Sequence, residues 1–192
     1  MRDKADVLDH VCAAIDAGPL ASAASVLETE YPFSPISKIA CQYTPRESMP
    51  IFVRDGFIDR YSGKRLVFPG TLRLLSKLLP SEFPFQRNWK SDACHFAYYE
   101  LFPTIDHMIP VSRGGEDGEH NWVSTSMLRN AAKANFTIEE LGWSAHSSGD
   151  LGDWDGLTGW FLRQAQIRPE VQSDAYLLRW LKAAKEALPI KT

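Results

Sequence analysis

The chain has 192 residues, of which 44% are hydrophobic, 23% charged and 11% aromatic, with a formal net charge of −3. That balance excludes a disordered or collagen-like chain and supplies enough apolar material for a core that closes without disulfides. No stretch approaches the roughly 18 uninterrupted apolar residues of a membrane span, and Asp3, Asp6 and Asp9 stand where a secretory leader would be basic and then apolar, so a cytoplasmic location is expected.

Val7, Leu8, Val11, Cys12 and Ile15 recur at helical spacing, Gly18-Pro19 interrupts, and Leu20, Ala23, Ala24 and Leu27 form a second apolar stripe. Residues 1–45 therefore read as an N-terminal helical segment. Pro and Ser concentrate over 32–50 and mark a connector. Residues 51–54 and 57–60 are short strand-like runs around Asp55-Gly56, and Ser62-Gly63 turns the chain into Arg65-Leu66-Val67-Phe68, which predicts a small antiparallel sheet. A helix follows over 71–79, with Leu72, Leu75, Leu78 and Leu79 on one side and Pro80 at its end. His95 to Phe102 is an aromatic helical turn stopped by Pro103.

From Thr104 to Asn135 the pattern changes to strand, Gly-Gly loop, strand and helix, with Ser124-Thr125 placed to cap the helix. Thr137 to Glu140 predicts a short capped helix ending at Gly142. Two C-terminal helices are expected near 157–167 and 171–187. The mixture is an α+β fold in three segments: 1–45, then 46–150 carrying the informative motif at 104–135, then 151–192, which either packs on the core or mediates dimerisation.

Cys12, Cys41 and Cys94, spaced 29 and 53 residues apart, form neither a disulfide framework nor a zinc knuckle and read as packed thiols. Charge is uneven. Residues 46–90 carry nine Lys and Arg against four acids, which fits either a phosphate-facing surface or a solvated helix face. The six Trp residues, Trp89, Trp122, Trp143, Trp154, Trp160 and Trp180, read as core before they read as base-stacking platforms.

The chemistry concentrates at Asp106 and His107, adjacent in an apolar strand, where desolvation is costly unless the groups are paired or solvated. The two-residue strand period sends their side chains to opposite faces, and the strand-loop-strand-helix order lets Asp106 meet Asn130 across the hairpin. Taken singly, each residue has an ordinary structural account: a satisfied strand histidine, an ion-pair partner, a turn asparagine, a solvated lysine.

Taken together they resemble the HNH nuclease family, whose ββα-metal motif opens with Asp-His, has an Asn at the hairpin and closes with His or Asn on the helix. The spacings here are fourteen residues from His107 to Asn121, nine to Asn130 and three more to Lys133. Asp106-His107-Met108-Ile109-Pro110, Ser112-Arg113-Gly114-Gly115 and Asn121-Trp122-Val123 look like the family's Asp-His-x-x-Pro, Ser-x-Gly-Gly and Asn-x-Val pieces. With Asn at the last position, the motif is similar to the HNH domain of RNA-guided CRISPR nucleases. The paired Cys-x-x-Cys sites that many members use for structural zinc are absent from this sequence, and no structural zinc is expected.

The resemblance implies an endonuclease hydrolysing phosphodiester bonds of DNA, most simply double-stranded, and leaving 5′-phosphate and 3′-hydroxyl ends. His107 would activate water, Asp106 and Asn130 would hold one divalent ion, and Asn121 would fix the hairpin that orients His107. Asn in place of His favours an oxygen-preferring Mg²⁺ or Mn²⁺. Lys133, with Arg129 and Arg113 behind it, is a candidate for phosphate contact. A restriction, anti-phage or mobile-element role is one expectation, and a homodimer would be needed for a concerted double-strand break. A non-catalytic DNA-binding or adaptor module on the same fold is the alternative, and a nuclease toxin a third reading. His120 reads as a surface loop residue and His95 as packed among aromatics.

Overall fold

The structure is a computed structural model that describes residues 4–33 and 43–188; Asp3, Cys41 and positions 34–42 of the expected connector lie outside them. The chain divides into two units, Met1–Lys38 and Ile39–Thr192. Among the described residues no helix is long and apolar enough to cross a membrane.

The first unit is a pair of helices, α1 (Lys4–Ala17) and α2 (Leu20–Glu30), broken where Gly18-Pro19 interrupts the pattern. They pack on each other with Val7, Val11 and Ala23 buried.

The second unit opens with α3 (Pro45–Arg54), where the sequence pattern suggested a connector and then a strand. The physical reason is local. Thr44 accepts from the Glu47 amide while the Glu47 carboxylate accepts from the Thr44 amide, a reciprocal cap that starts the helix with Pro45 in its first position. Ile51 and Phe52 then continue the helix despite their strand preference, because both are buried in the core, each about 1.5–3 kcal/mol of apolar burial. The sheet expected over 51–68 shrinks to one bridge, Ile58 with Arg65.

α4 (Pro69–Leu78) begins two residues earlier than expected because Pro69 takes the first helical position. A short α5 (Ala97–Leu101) leads into the two-stranded antiparallel sheet, β1 (Pro103–His107) and β2 (Trp122–Ser126), and then α6 (Met127–Lys133). The short helix expected after Thr137 is a single turn. Thr137 and Glu140 do bond reciprocally, but the chain closes at once through the Trp143 amide to the Ile138 carbonyl.

α7 (Thr158–Ile167) matches expectation, whereas the helix expected over 171–187 is two: α8 (Pro169–Gln172) and α9 (Ala175–Ala187). Asp174 causes the break, its carboxylate accepting from the amides of Tyr176 and Leu177 to start α9 afresh. The last helices complete the core of this unit. Phe161, Leu177, Trp180 and Leu181 join Phe52, Phe57 and Phe68 in one cluster, with Phe68 and Trp180 edge to face at 5.6 Å. The result is an α+β unit in which helices surround one small sheet.

Candidate active site

The sheet is positioned by two buried carboxylates. The Ser124 amide donates to Asp55 at 2.7 Å, and the Thr125 hydroxyl and Ser126 amide donate to Asp59 at 3.1 Å each. Arg54 and Arg60 neutralise Asp55 at 2.9 and 3.1 Å. These bonds keep Ser124 and Thr125 in β2, so the cap of α6 is Ser126, whose hydroxyl accepts from the Arg129 amide, one residue later than the sequence suggested.

β1 and β2 run antiparallel from Pro103 opposite Ser126 to His107 opposite Trp122. Thr104 and Asp106 share one face of β1, and His107 takes the other. Between the strands, Asn121 pins the hairpin. Its Oδ1 accepts from the Ile109 amide at 2.9 Å, and its Nδ2 donates to the carbonyls of Ile109 and Glu116 at 2.8 and 2.9 Å. Gly115 is required by this arrangement, since a Cβ there would lie 1.9 Å from the Ile109 carbonyl oxygen. Asn121 is buried, so Asn121→Ala strands polar backbone groups of the loop. A loss of about 2–3 kcal/mol is expected in chemical denaturation; a loss within experimental error would show that the loop holds itself.

His107 stands at the mouth of this hairpin with its side chain only 10% exposed. Its Nε2 lies 2.9 Å from Asp117 Oδ1, 3.1 Å from Trp122 Nε1 and 3.3 Å from the Tyr43 hydroxyl. The same Asp117 oxygen accepts from Tyr43 at 2.9 Å and from Trp122 at 3.0 Å. Hydrogen bonds from His107, then Tyr43, hold the Asp117 carboxyl below the usual aspartate range. No sequence pattern marks Asp117 or Tyr43. An Asp in Gly-Gly-Glu-Asp-Gly reads as an ordinary loop residue, and Tyr43 lies 64 residues before His107.

On the opposite face, Asp106 Oδ2 accepts from the Tyr61 hydroxyl at 2.7 Å and pairs with Lys133 Nζ at 2.9 Å. Burial, and next the Asp106 charge, push the Tyr61 phenol up, so it stays a protonated donor. Lys133 departs from expectation. It is fully buried and its ammonium also donates to the His107 carbonyl at 2.7 Å, so it is a strut between helix and strand and presents nothing to a phosphate. A long side chain that starts on a helix one turn from Asn130 reads as solvated until the helix is docked on β1.

Asn130 donates to the Thr104 hydroxyl at 3.0 Å and to the Ile105 carbonyl at 3.2 Å, which ties it to the Asp106 face of β1. With both amide hydrogens so directed, its Oδ1 is left as an acceptor. Among the described residues no cluster of three His, Cys, Asp or Glu side chains forms a metal cage. Asp106 and Asn130 offer one carboxylate and one amide oxygen, donor types that suit a hard, oxygen-preferring ion better than zinc.

The remaining cations are partly engaged. Arg113 pairs with Glu140 at 2.8 Å, and Arg129 lies over the Trp143 ring at 5.1 Å. Within 46–90, Arg54 and Arg60 serve Asp55, Arg46 pairs with Glu186, Lys77 pairs with Asp174, and Arg65 and Arg73 lie over Trp154 and Phe85. His95 stacks on Phe83 at 4.4 Å, and exposed His120 pairs with Glu116.

Comparison of the chain with protein-family models, with curated proteins and with solved structures finds no match.

Proposed function

We propose that the chain is a metal-dependent endonuclease of the HNH type, built on a ββα-metal core at residues 104–135, that hydrolyses phosphodiester bonds in duplex DNA. The observation that carries this reading is the convergence at one hairpin: a nearly buried His107 oriented by hydrogen bonds, Asp106 behind it on the opposite face, Asn130 bonded to the Asp106 side of β1, and Asn121 pinning the loop.

Phosphodiester hydrolysis needs a base for the attacking water and positive charge against the phosphate. His107 takes the water proton. Asp106 and Asn130 would hold Mg²⁺ or Mn²⁺, which supplies charge stabilisation to the phosphate oxygens. Lys133 and Tyr61 fix the Asp106 carboxylate, and Asn121 keeps the hairpin from spreading. Phosphate contact falls to exposed cations such as Arg113, with Lys133 confined to the interior.

The test is conversion of supercoiled plasmid to nicked circles by the purified chain with Mg²⁺ or Mn²⁺, and its suppression by EDTA. Nicking that depends on the ion supports the reading. A protein that binds duplex DNA and leaves it intact under both ions is the adaptor alternative, and the nuclease assignment then falls.

A further inference from the structure

We propose that Asp117 is a positioning residue for His107: its carboxylate accepts the Nε2 proton, holds the ring still, and leaves Nδ1 as the bare nitrogen that receives the proton of the attacking water. The catalytic half of this inference rests on the nuclease reading; the tautomer half stands on geometry alone.

An unprotonated ring nitrogen and a carboxylate oxygen both present lone pairs, and at 2.9 Å they repel unless a proton lies between them. Asp117 is not its carrier. The oxygen that faces the ring also accepts from Tyr43 and from Trp122, as the oxygen of an ionised carboxylate does, so the proton is on Nε2. The indole nitrogen of Trp122 can only donate, and at 3.0 Å from Asp117 and 3.1 Å from Nε2 it is shared between them and does not decide the tautomer. The Tyr43 hydroxyl does discriminate, being 2.9 Å from Asp117 and 3.3 Å from Nε2. Neutral His107 is therefore the Nε2–H tautomer. Its remaining lone pair is on Nδ1.

Two segments distant in sequence meet at the Asp117 oxygen: Tyr43, two residues before α3, and the hairpin, which supplies both Asp117 in its loop and Trp122 at the start of β2. Tyr43 and Trp122 also pack edge to face at 4.8 Å, so the donors that hold Asp117 are themselves held. In the reaction the water O–H bond breaks toward Nδ1 and the new oxygen–phosphorus bond forms. The bond from phosphorus to the leaving sugar oxygen breaks, that oxygen takes a proton from solvent, and His107 later returns its own. Asp117 keeps its charge throughout and stabilises the imidazolium that forms. Outer partners that orient a reactive imidazole are worth about 10–100-fold when removed.

Asp117 has a half-exposed side chain, so its substitution leaves the fold intact and the test uses the whole chain. Histidine ¹⁵N spectra of the metal-free protein at about pH 8.5, above the ordinary imidazole range, report the tautomer. Single-turnover nicking of supercoiled plasmid with Mn²⁺ reports the rate. The wild type is expected to show Nε2–H at His107. Asp117→Ala is expected to show mixed tautomers and about 10–100-fold slower nicking, with DNA affinity and thermal midpoint little changed. Asp117→Asn keeps an acceptor oxygen, held toward the ring by the Trp122 donor, and is expected to retain Nε2–H and recover most of the loss.

Tautomer and rate must move together. A wild-type His107 protonated at Nδ1, an Asp117→Ala variant with unaltered tautomer, or one with unaltered rate each overturns the proposal. If the wild type nicks no DNA with either ion, the nuclease reading fails separately, and the comparison of tautomers still decides whether Asp117 sets the ring.

Discussion

His107→Ala is expected to slow metal-dependent plasmid nicking by about 10²–10⁴-fold, the span over which a positioned general base contributes. The side chain is nearly buried and supports no helix or strand by itself. Its ring contacts are Asp117, Trp122 and Tyr43, which can bond one another when it is gone. The thermal midpoint should therefore fall little while the rate collapses. Residual binding of duplex DNA at wild-type affinity would place the loss in the chemical step. An alanine variant that nicks within a few-fold of wild type would show that water is activated elsewhere and would remove His107 from the mechanism.

The largest stability effect is expected at Lys133. Its ammonium is fully buried, 2.9 Å from Asp106 and 2.7 Å from the His107 carbonyl, with the Tyr61 ring 5.6 Å away. Lys133→Met keeps most of the volume and strands the Asp106 carboxylate in the interior, a change worth about 3–5 kcal/mol. Asp106→Asn combined with Lys133→Met removes the stranded charge, so the double variant should be markedly more stable than the sum of the single losses predicts. Urea denaturation of the three variants measures the coupling. A loss below about 1 kcal/mol for Lys133→Met would mean that the pair is hydrated and that Lys133 is free to serve a ligand.

These two predictions separate chemistry from scaffold at neighbouring positions. His107 faces the hairpin mouth and Lys133 supports the same strand from behind, through the His107 carbonyl. An activity defect in Lys133→Met accompanied by lost stability is a scaffold effect. The same defect at unchanged stability would restore Lys133 to the phosphate-binding candidates.

Much of the local architecture was legible in the residues. The strand-loop-strand-helix run from 103 to 133 depends on short-range rules: alternation in a strand, a Gly-Gly loop, an Asn whose amide can satisfy two loop carbonyls, a Ser before a helix. The opposite facing of Asp106 and His107 follows from the pleat. The departures from the expected elements are also local. Thr44-x-x-Glu47 is a helix-start signal that the β-branched residues after it obscured, and Asp174 begins a new helix where apolar spacing alone ran two together.

What the sequence by itself determined is therefore the order of elements around the hairpin and the placing of Asp106, His107, Asn121 and Asn130 on it, the residues to which the proposed chemistry is assigned. Only the tertiary structure decided which side chains complete that site. Tyr43 reaches Asp117 across 74 residues and Tyr61 reaches Asp106 across 45, and Lys133 changes from a surface cation to a buried strut once α6 lies on β1. Periodicity encodes which face of an element is apolar, but not which distant element will cover it. Partners of a buried charge are chosen by the packing that removes water from it.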